Sequence, residues 1–392
     1  MEILQPTDSP SLRESGANVW VYRFTHPDAG WILSIATHAE PGSKKLSLGG
    51  FRIAPRERTE ALGFDPDREA IGLAIGMEQK VHWSRVLFVG GPRARREMKR
   101  IVGGKCVLQP TDDARVGNPR DFELLDWAVE CFTEMEGESG VLLITGQDLG
   151  HGLMSDGKTQ SLSYLSSGFH GCVASDTSVP TGQGNYNTLK GMLAAVGIQM
   201  QLATVGMIGV GNIGGHIVEQ LRGDGSTILA VEANAERRAE LAASGIQVWD
   251  QDGKLEMLRE PMDALVVNAS GGSLDEDAIA ACVSNPRLKV ICGSENLAMK
   301  DPDGPSKLLA AKKIYCPTVL GGMMGYLTAV EEYLAVRDGL RFEIRQMLES
   351  SKRLEIIGRQ ATSLIRSRNY GIDFETAAEE IGRAGKGTGA AV

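Results

Sequence analysis

The stretch from residue 203 to residue 232 constrains the fold more than any other part of the chain. It carries the pattern G-x-G-x-x-G at Gly209, Gly211 and Gly214, after a short apolar run and before a segment with helical spacing. A second apolar run then ends at Glu232, 23 positions after Gly209. This order predicts a β-α-β unit that binds a dinucleotide, because an acid about 20 residues after the first glycine can hold a ribose.

Each glycine of the pattern has a separate physical role. Gly209 allows a tight turn, Gly211 lets the backbone approach a pyrophosphate, and Gly214 lets the helix lie close to the strand. The amides of the first helical residues, Asn212 and Ile213, would then face the phosphates. Further residues at strand ends or at a helix start complete the predicted cofactor site: Thr181, Ala269 and Asn296.

The acid also bears on the choice of cofactor. The carboxylate of Glu232 would repel a 2′-phosphate, so NAD is favoured over NADP. Arg237 and Arg238 follow closely and weaken this preference, because guanidinium groups can bind phosphate.

Composition excludes several classes of protein. The 392 residues suffice for two or three domains, and a formal net charge of −9 argues against nucleic acid or a membrane as a partner. Six scattered cysteines lack metal-binding or redox spacing, so we predict no metal site and reduced thiols in the cytoplasm. Residues 1–16 lack the apolar core of a signal peptide, and no apolar run reaches transmembrane length.

In the first half of the chain, alternating runs at 19–24 and 31–35 predict a β-hairpin. A strand at 46–53 is interrupted by Gly49 and Gly50, which indicates either a bulge or the close approach of a ligand. Further predicted elements are a helix that opens at Asp65-Pro66 and has Lys80 at or just beyond its end, a strand at 85–89, a solvated basic helix face at 93–100, an amphipathic helix at 121–135, and a strand at 141–145.

In the second half, predicted strands at 263–269, 288–292 and 314–316 alternate with helices. This alternation is typical of a doubly wound parallel sheet. Thr181 is predicted to cap a helix that runs through Ala195. A long helical pattern covers 326–350, more helix follows to 385, and the tail at 386–392 is predicted to be disordered.

Several short motifs occur in a specific order. Taken together, they resemble the glutamate/leucine/phenylalanine/valine dehydrogenase family, the leucine and phenylalanine branch most closely. One motif is the G-x-G-x-x-G pattern at 209–214, called the fingerprint below, together with Glu232. The others are Gly49-Gly50-Phe51-Arg52, Gly76-Met77-Glu78-Gln79-Lys80, Asp148-Leu149-Gly150, Thr181-Gly182-Gln183-Gly184, Gly293-Ser294-Glu295-Asn296 and Tyr315-Cys316-Pro317.

The resemblance implies an α/β protein of two domains. The first, at 1–180, would be a catalytic and oligomerisation domain, and the second, at 181–325, a Rossmann-type NAD-binding domain. The helices at 326–385 would pack back on the first domain. Members of the family oxidise an L-amino acid to a 2-oxo acid and ammonia with NAD(P), and they form oligomers, so we expect a homo-oligomer that acts on an amino-acid-like small molecule.

The resemblance also assigns roles to particular residues. Gly49 and Gly50 would line the substrate pocket, and Lys80 would bind the substrate carboxylate. Asp148 would be the acid and base that handles the amino group. His82 and His151 are further candidates for a proton donor.

One departure from the family pattern affects the expected reaction. The family uses a second lysine, which closes a G-G-G-K turn, to activate water. At the family's spacing from Lys80, Pro92 occupies that position, and the adjacent Arg93 cannot serve as a base because a guanidinium stays protonated. A second departure is Gly322, which falls about where the family has an asparagine that touches the substrate.

Three functions therefore remain open. The first is an NAD-dependent reductase of a preformed imine or a related unsaturated amino acid, which needs no water activation. The second is an ordinary L-amino-acid dehydrogenase with a substitute for the lysine. The third is an inactive NAD-binding regulatory or scaffold protein.

Overall fold

The chain folds into two units, each organised around its own β-sheet. The structure, a computed structural model, describes residues 1–146 and 150–387. The first unit comprises 1–82, 92–176 and 326–342, and the second comprises 83–91, 177–325 and the residues from 343. No helix in the described ranges is long and apolar enough to cross a membrane.

Thirteen strands are found in the described residues. They are β1 Glu2–Leu4, β2 Trp20–Thr25, β3 Ile32–Thr37, β4 Leu46–Leu48, β5 Phe51–Ile53, β6 Ile101–Gln109, β7 Leu142–Ile144, β8 Thr204–Ile208, β9 Thr227–Val231, β10 Gln247–Trp249, β11 Ala264–Val267, β12 Val290–Gly293 and β13 Ile314–Tyr315.

Sixteen α-helices are found in the described residues. They are α1 Pro10–Ser15, α2 Arg56–Thr59, α3 Pro66–Leu87, α4 Pro92–Glu97, α5 Asp121–Ser139, α6 Ser161–Gly168, α7 Ser178–Ala195, α8 Asn212–Asp224, α9 Ala235–Ala243, α10 Lys254–Arg259, α11 Glu276–Ser284, α12 Gly304–Ala310, α13 Thr318–Gly321, α14 Met323–Arg337, α15 Ile344–Ser367 and α16 Phe374–Gly387.

A mixed sheet lies at the centre of the first unit, with the strand order β1-β2-β3-β6-β4-β7 and β5 paired to β6. The pairs β1-β2, β2-β3 and β3-β6 are antiparallel, which confirms the predicted hairpin. Strands β4 and β5 run parallel to β6, and β7 runs parallel to β4. One face packs on α5 through Phe51, Phe132 and Leu143, and the other packs on α3 through Ala74 and Val107.

The predicted break in the strand at 46–53 is also confirmed, since it forms β4 and β5. Both halves pair with β6, β4 with residues 101–103 and β5 with residues 106–108. A Cβ atom on Gly49 would overlap the carbonyl oxygen of Gly104. The break is therefore a place where two backbones lie in direct contact.

The predicted strand at 85–89 is wrong. Helix α3 continues to Leu87, because Val81, Ser84 and Leu87 fall on one face of the helix and are buried there. The helix ends before Phe88, whose φ of 55° lies in the left-handed region. Lys80 therefore lies inside α3 rather than at its end.

The basic run after Pro92 is not wholly a solvated face. Arg93 donates from its guanidinium to Oε1 of Glu331 at 3.1 Å, and the backbone N–H groups of Arg93 and Ala94 donate to the same carboxylate at 2.8–3.1 Å. The Glu331 side chain is fully buried, and that of Arg93 is 15% exposed. Glu331, on α14, thus caps the start of α4.

Replacing Glu331 with alanine should destabilise the first unit by about 3–5 kcal/mol, because it leaves the Arg93 charge buried without its partner. Chemical denaturation followed by circular dichroism measures the change. The control is Glu380→Ala, which breaks an ion pair with Arg368 on an exposed surface and should cost less than about 1 kcal/mol. Equal effects of the two substitutions would contradict the capping role.

A parallel sheet of six strands forms the second unit, in the order β10-β9-β8-β11-β12-β13. Strands β8 and β11 are adjacent, so the strand order reverses beside the fingerprint. The core between this sheet and its helices includes Ile208, Val231, Leu265 and Ile291. The predicted doubly wound architecture is confirmed.

Three details of the helices differ from the predictions. Thr181 lies inside α7, which begins after Thr177, and its hydroxyl donates to the Thr177 carbonyl at 2.7 Å rather than capping the helix. The pattern at 326–350 forms two helices, because the chain turns at Gly339, whose φ is 68°. Residues 386 and 387 end α16, whereas residues 388–392 of the predicted disordered tail lie outside the described residues.

The C-terminal helices group differently from the expected return to the first domain. Helix α14 packs within the first unit, but α15 packs on α7 in the second, where the Asn187 amide donates to Ser351 Oγ at 2.9 Å. A Cβ atom on Gly358 of α15 would lie 2.7 Å from the Thr188 carbonyl oxygen, so the two helices are in close contact. The predicted domain limits themselves stay a prediction.

Candidate functional site

The fingerprint of the second unit forms a turn between β8 and α8. Gly209 has a φ of 83°, which favours glycine, and Gly211 is the N-cap residue of α8. A Cβ atom on Gly211 would meet nothing within 4 Å, whereas one on Gly214 would overlap the Gly209 carbonyl oxygen. These positions match a tight turn, an open backbone approach and close packing of helix on strand.

Glu232 lies at the carboxyl end of β9, beside this turn. Its side chain accepts hydrogen bonds from the backbone N–H of Val210 at 2.7 Å and from that of Asn234 at 2.8 Å. The residue is 9% exposed. Because each carboxylate oxygen can accept more than one hydrogen bond, the group is held in place and can still accept from a ligand.

The two arginines that follow Glu232 are bound to the surrounding backbone. The Arg237 guanidinium donates to the Val210 carbonyl at 3.1 Å and pairs with Glu240 at 2.7 Å. Arg238 donates to the carbonyls of Glu232 and Ala233 at 2.9 and 2.6 Å. Both side chains therefore brace the turn around Glu232.

A cavity of about 560 Å³ opens at the carboxyl ends of β8, β9 and β11, and Gly209, Gly211 and Glu232 line it. This size suits a nucleotide-sized ligand. A neighbouring cavity of about 510 Å³ is lined by Gly211, Asn212 and His216 among others. A dinucleotide fits this arrangement, because a bare glycine and the start of a helix face the open space beside a fixed acid.

Two polar residues that sequence reasoning missed organise the far wall of the larger cavity. Asn268 lines it, accepts hydrogen bonds from the Ser294 N–H and hydroxyl at 3.1 and 2.7 Å, and has a buried side-chain nitrogen without a partner among the described residues. Glu295 is buried and accepts from the N–H groups of Ala269 and Ser273 at 3.0 and 2.8 Å. Their signal was a polar residue within two positions of the end of a buried strand.

The remaining predicted cofactor residues differ in location. Ala269 lines the cavity of about 560 Å³, and Asn212 and Ile213 begin α8. Asn296 is exposed in the loop after β12, and Thr181 is buried in α7. Their roles in cofactor binding stay predictions.

His216 joins α7 to α8 next to the fingerprint. One ring nitrogen lies 3.2 Å from Oε1 of Gln183. Burial lowers the pKa of His216, and the nearby Glu219 partly opposes this effect. A neutral ring that is hydrogen-bonded to an amide is best explained as a packing contact between the two helices.

In the first unit, one buried lysine lies on α3 and another lies on β6, on the face of the sheet that α3 covers. Lys80 on α3 is 8% exposed, and its carbonyl accepts a hydrogen bond from the Tyr326 hydroxyl at 3.2 Å. Lys105 on β6 is 7% exposed and pairs with Ala36 of β3. The alternation of β6 sends Gly103, Lys105 and Val107 to the face that α3 covers.

Lys105 closes a Gly103-Gly104-Lys105 run that sequence reasoning passed over. The run lies beside Gly49 and Gly50, since the Cys106 N–H donates to the Gly50 carbonyl at 3.3 Å. Pro92, by contrast, begins α4 and does not lead into a strand. Counting the family's spacing from Lys80 led to Pro92 rather than to Lys105. The count relied on a strand at 85–89, where α3 in fact continues to Leu87.

The other predicted residues of the first unit are less informative. Asp148 lies outside the described residues. His151 makes contacts with both ring nitrogens, at 3.1 Å to the Phe51 carbonyl and at 3.3 Å to the Ser161 hydroxyl, as expected for a structural histidine. His82 is exposed. The substrate roles of Gly49, Gly50 and Lys80 stay predictions.

Two comparisons concern the sequence. No protein-family model matches the chain. The chain is 30% identical over 168 residues to valine dehydrogenase from Streptomyces coelicolor, and this match covers 41% of this chain and 43% of that protein. It is also 30% identical over 132 residues to valine dehydrogenase from Streptomyces virginiae, covering 33% of this chain and 35% of that protein. The matches thus span less than half the length of these relatives.

Solved structures match over nearly the whole chain. L-tryptophan dehydrogenase from Nostoc punctiforme superposes with a TM-score of 0.65 at 17% identity, over 96% of this chain and 97% of that one. The hetero-hexameric glutamate dehydrogenase of Thermus thermophilus gives a TM-score of 0.63 at 15% identity, over 95% and 90%. At these identities the likeness concerns the fold.

The architecture defines a class of α/β proteins in which one unit is a Rossmann-type fold and the other is built on a mixed sheet. Within that class, the sequence matches and the shared fold relate this chain to the glutamate/leucine/phenylalanine/valine dehydrogenase family. The resemblance to the family that was inferred from the sequence motifs is confirmed, and the closer likeness to the leucine and phenylalanine branch stays a prediction.

Proposed function

We propose that the chain is a nicotinamide-dependent L-amino-acid dehydrogenase that converts its substrate to a 2-oxo acid and ammonia. The observation that carries this proposal is a pair of buried lysines, Lys80 on α3 and Lys105 on the face of the sheet that α3 covers. Lys105 lies beside Gly49 and Gly50. In the second unit, the fixed carboxylate of Glu232 beside the glycine-rich turn supports the use of a nicotinamide cofactor. The related valine dehydrogenases make aliphatic amino acids the first substrates to test.

The two lysines have different tasks in this proposal. The ammonium group of Lys80 binds the substrate carboxylate, for which a compact charge suffices. Lys105 takes a proton from the water molecule that attacks the iminium carbon, since a positioned amine can serve as a general base. Asp148 is proposed, from the resemblance alone, to accept and return the proton of the amino group.

A bound nicotinamide supplies the hydride acceptor for the Cα–H bond. The residues of the chain do the remaining work. Lys80 orients the substrate through its carboxylate, and Gly49 and Gly50 line the pocket in this proposal. Lys105 then handles the proton that is released when water adds and ammonia leaves.

Lys105 also weakens the reason for preferring imine reduction. That alternative followed from Pro92, and Pro92 lies at the start of α4 whereas a glycine-glycine-lysine run exists on β6. Reduction of a preformed imine and an inactive NAD-binding protein remain as outcomes of the test.

The deciding experiment follows NADH oxidation with a panel of 2-oxo acids and cyclic imino acids, each with and without ammonium. Turnover of 2-oxo acids only in the presence of ammonium supports the proposal. Turnover of preformed imines alone supports the specialised reductase. If NADH binds but no substrate of either kind is turned over, the dehydrogenase proposal is wrong for this chain.

NADH should bind at least about tenfold more tightly than NADPH, because the fixed Glu232 carboxylate would face the 2′-phosphate. Glu232→Ala should reduce this preference, while the control Glu256→Ala, an exposed acid on α10, should leave it unchanged. Calorimetric titration with both cofactors measures the ratio. Equal affinities in the unaltered chain would contradict the proposed role of Glu232.

A homo-oligomer in the cytoplasm completes the proposal. The resemblance to the family supports the oligomer, and the six free cysteines, all of which are buried, support a reducing compartment. Sedimentation of the purified chain tests the first of these.

A further inference from the structure

The peptide groups of Gly103 are held from two sides in the first unit. Its N–H donates to Oε2 of Glu78 on α3 at 2.6 Å, a short bond to a carboxylate. Its carbonyl oxygen accepts from the backbone N–H of His38, the residue after β3, at 3.0 Å. Gly103 is thus linked to the helix on one side and to the neighbouring strand on the other.

The contact between Gly103 and Glu78 is also one of backbone with backbone. A Cβ atom on Gly103 would overlap the backbone nitrogen of Glu78 and lie 2.8 Å from the Ala74 carbonyl oxygen. At this point the backbones of β6 and α3 are therefore in direct contact. The Glu78 carboxylate bonds to β6 where the two backbones touch.

Both lysines of the proposed site are close in sequence to the two residues of this contact. Lys105 is two residues after Gly103, on the same face of β6 and about 7 Å further along the strand. Lys80 is two residues after Glu78, about 3 Å further along the helix axis. A shift at the contact between Gly103 and Glu78 would therefore move one lysine relative to the other.

His38 lies beside this contact. Burial lowers the pKa of His38, although the nearby Glu78 carboxylate and a hydrogen bond to the backbone of Asn18 act in the opposite direction. Its Nε2 atom is buried without a hydrogen-bond partner in the described part of the chain. This ring nitrogen therefore does not compete with the Gly103 N–H for the Oε2 atom of Glu78.

We propose that Glu78 is a positioning residue that sets the location of Lys105 relative to Lys80 through its hydrogen bond to Gly103. The proposal rests on the proposed function in so far as the two lysines form the site. Glu78 itself touches no reacting atom, and its effect passes through the backbone of β6.

The test compares Glu78→Ala with Glu78→Gln, whose amide oxygen can still accept from the Gly103 N–H. We expect Glu78→Ala to lower kcat by about a hundredfold with the KM for NADH unchanged, since small misplacements at a reacting centre have effects of this size. Glu78→Gln should recover kcat to within a few-fold of the unaltered chain. A kcat for Glu78→Ala close to that of the unaltered chain would overturn the proposal.

Asp121 provides a matched control in the same unit. It is fully buried on α5 and accepts from the N–H groups of Gly117 and Ser155 at 2.9 and 2.7 Å. Asp121→Ala therefore removes a buried carboxylate from backbone N–H donors without touching β6 or α3. It should destabilise the chain but leave kcat within a few-fold. A hundredfold loss here would mean that kcat reports general damage, which overturns the assignment to Glu78.

A second measurement separates this proposal from the proposed function. Acetic anhydride labelling, followed by mass spectrometry, reports the accessibility of Lys105 whether or not the chain turns over amino acids. Lys105 should be protected in the unaltered chain and in Glu78→Gln, and labelled several-fold faster in Glu78→Ala. Equal labelling in all three overturns the positioning role, even if the dehydrogenase activity is found. Faster labelling without any activity supports positioning and counts against the proposed function alone.

Discussion

Replacing Lys105 with alanine is expected to lower kcat for oxidative deamination by about a thousandfold and to leave NADH affinity unchanged. A positioned general base contributes about 10²–10⁴ in rate, and Lys105 is the buried amine on β6 next to the proposed substrate pocket. The proposed cofactor site lies in the second unit, and none of the residues that line its cavity belongs to β6. Steady-state kinetics and calorimetry with NADH measure the two quantities.

Two controls sharpen this expectation. Lys99→Ala removes an exposed lysine six residues earlier and should change neither quantity. Lys105→Arg keeps the positive charge but cannot act as a base, so its kcat should be as low as that of the alanine variant. If Lys105→Arg kept full activity, the side chain would serve as a charge and not as a base. Full activity of Lys105→Ala would mean that Lys105 does not replace the lysine that the family pattern places at position 92.

Replacing Gly211 with valine should raise the Kd for NADH more than about a hundredfold while the chain stays folded. A Cβ atom at this position meets no protein atom within 4 Å, so it adds no internal clash. The side chain would instead project into the space where the pyrophosphate must approach the backbone. Calorimetric titration measures the affinity, and thermal unfolding should show a Tm changed by less than about 4 °C.

The helix that follows this glycine offers its own controls. Gly223 lies in α8, and a Cβ atom placed on it would also meet nothing within 4 Å, so Gly223→Val should leave NADH affinity unchanged. Gly214→Val should lower stability, because its side chain would overlap the Gly209 carbonyl oxygen. Unchanged NADH affinity in a folded Gly211→Val variant would remove the fingerprint from the cofactor site.

The second unit was largely predictable from sequence because its signals are local. The turn at Gly209, the helix after Gly211 and the acid at Glu232 lie within a single β-α-β segment, where spacing alone fixes their neighbours. The far wall of the cavity could not be predicted in this way. Glu295 reaches Ala269 and Ser273 across more than 20 residues of chain, and no local pattern encodes that contact.

The first unit was harder to predict for a physical reason. Strand β6 is buried on both faces and contains Gly103, Gly104 and Lys105, so it shows neither apolar alternation nor strong strand propensity. This composition is favourable because of the neighbouring elements. Helix α3 approaches Gly103, and β4 approaches Gly104, too closely for a side chain at either position. The end of α3 was mistaken for a strand because its β-branched and aromatic residues favour one, whereas burial of Leu87 on the helix face decides the outcome.

The contact between Gly49 and Gly104 has a consequence for how this chain can change over generations. A Cβ atom on Gly49 would overlap the Gly104 carbonyl oxygen, which is backbone and is present whatever residue stands at position 104. No second substitution can therefore make room for the first. Glycine is therefore expected to be retained at position 49, and a change of substrate specificity near it has to arise from residues on other segments.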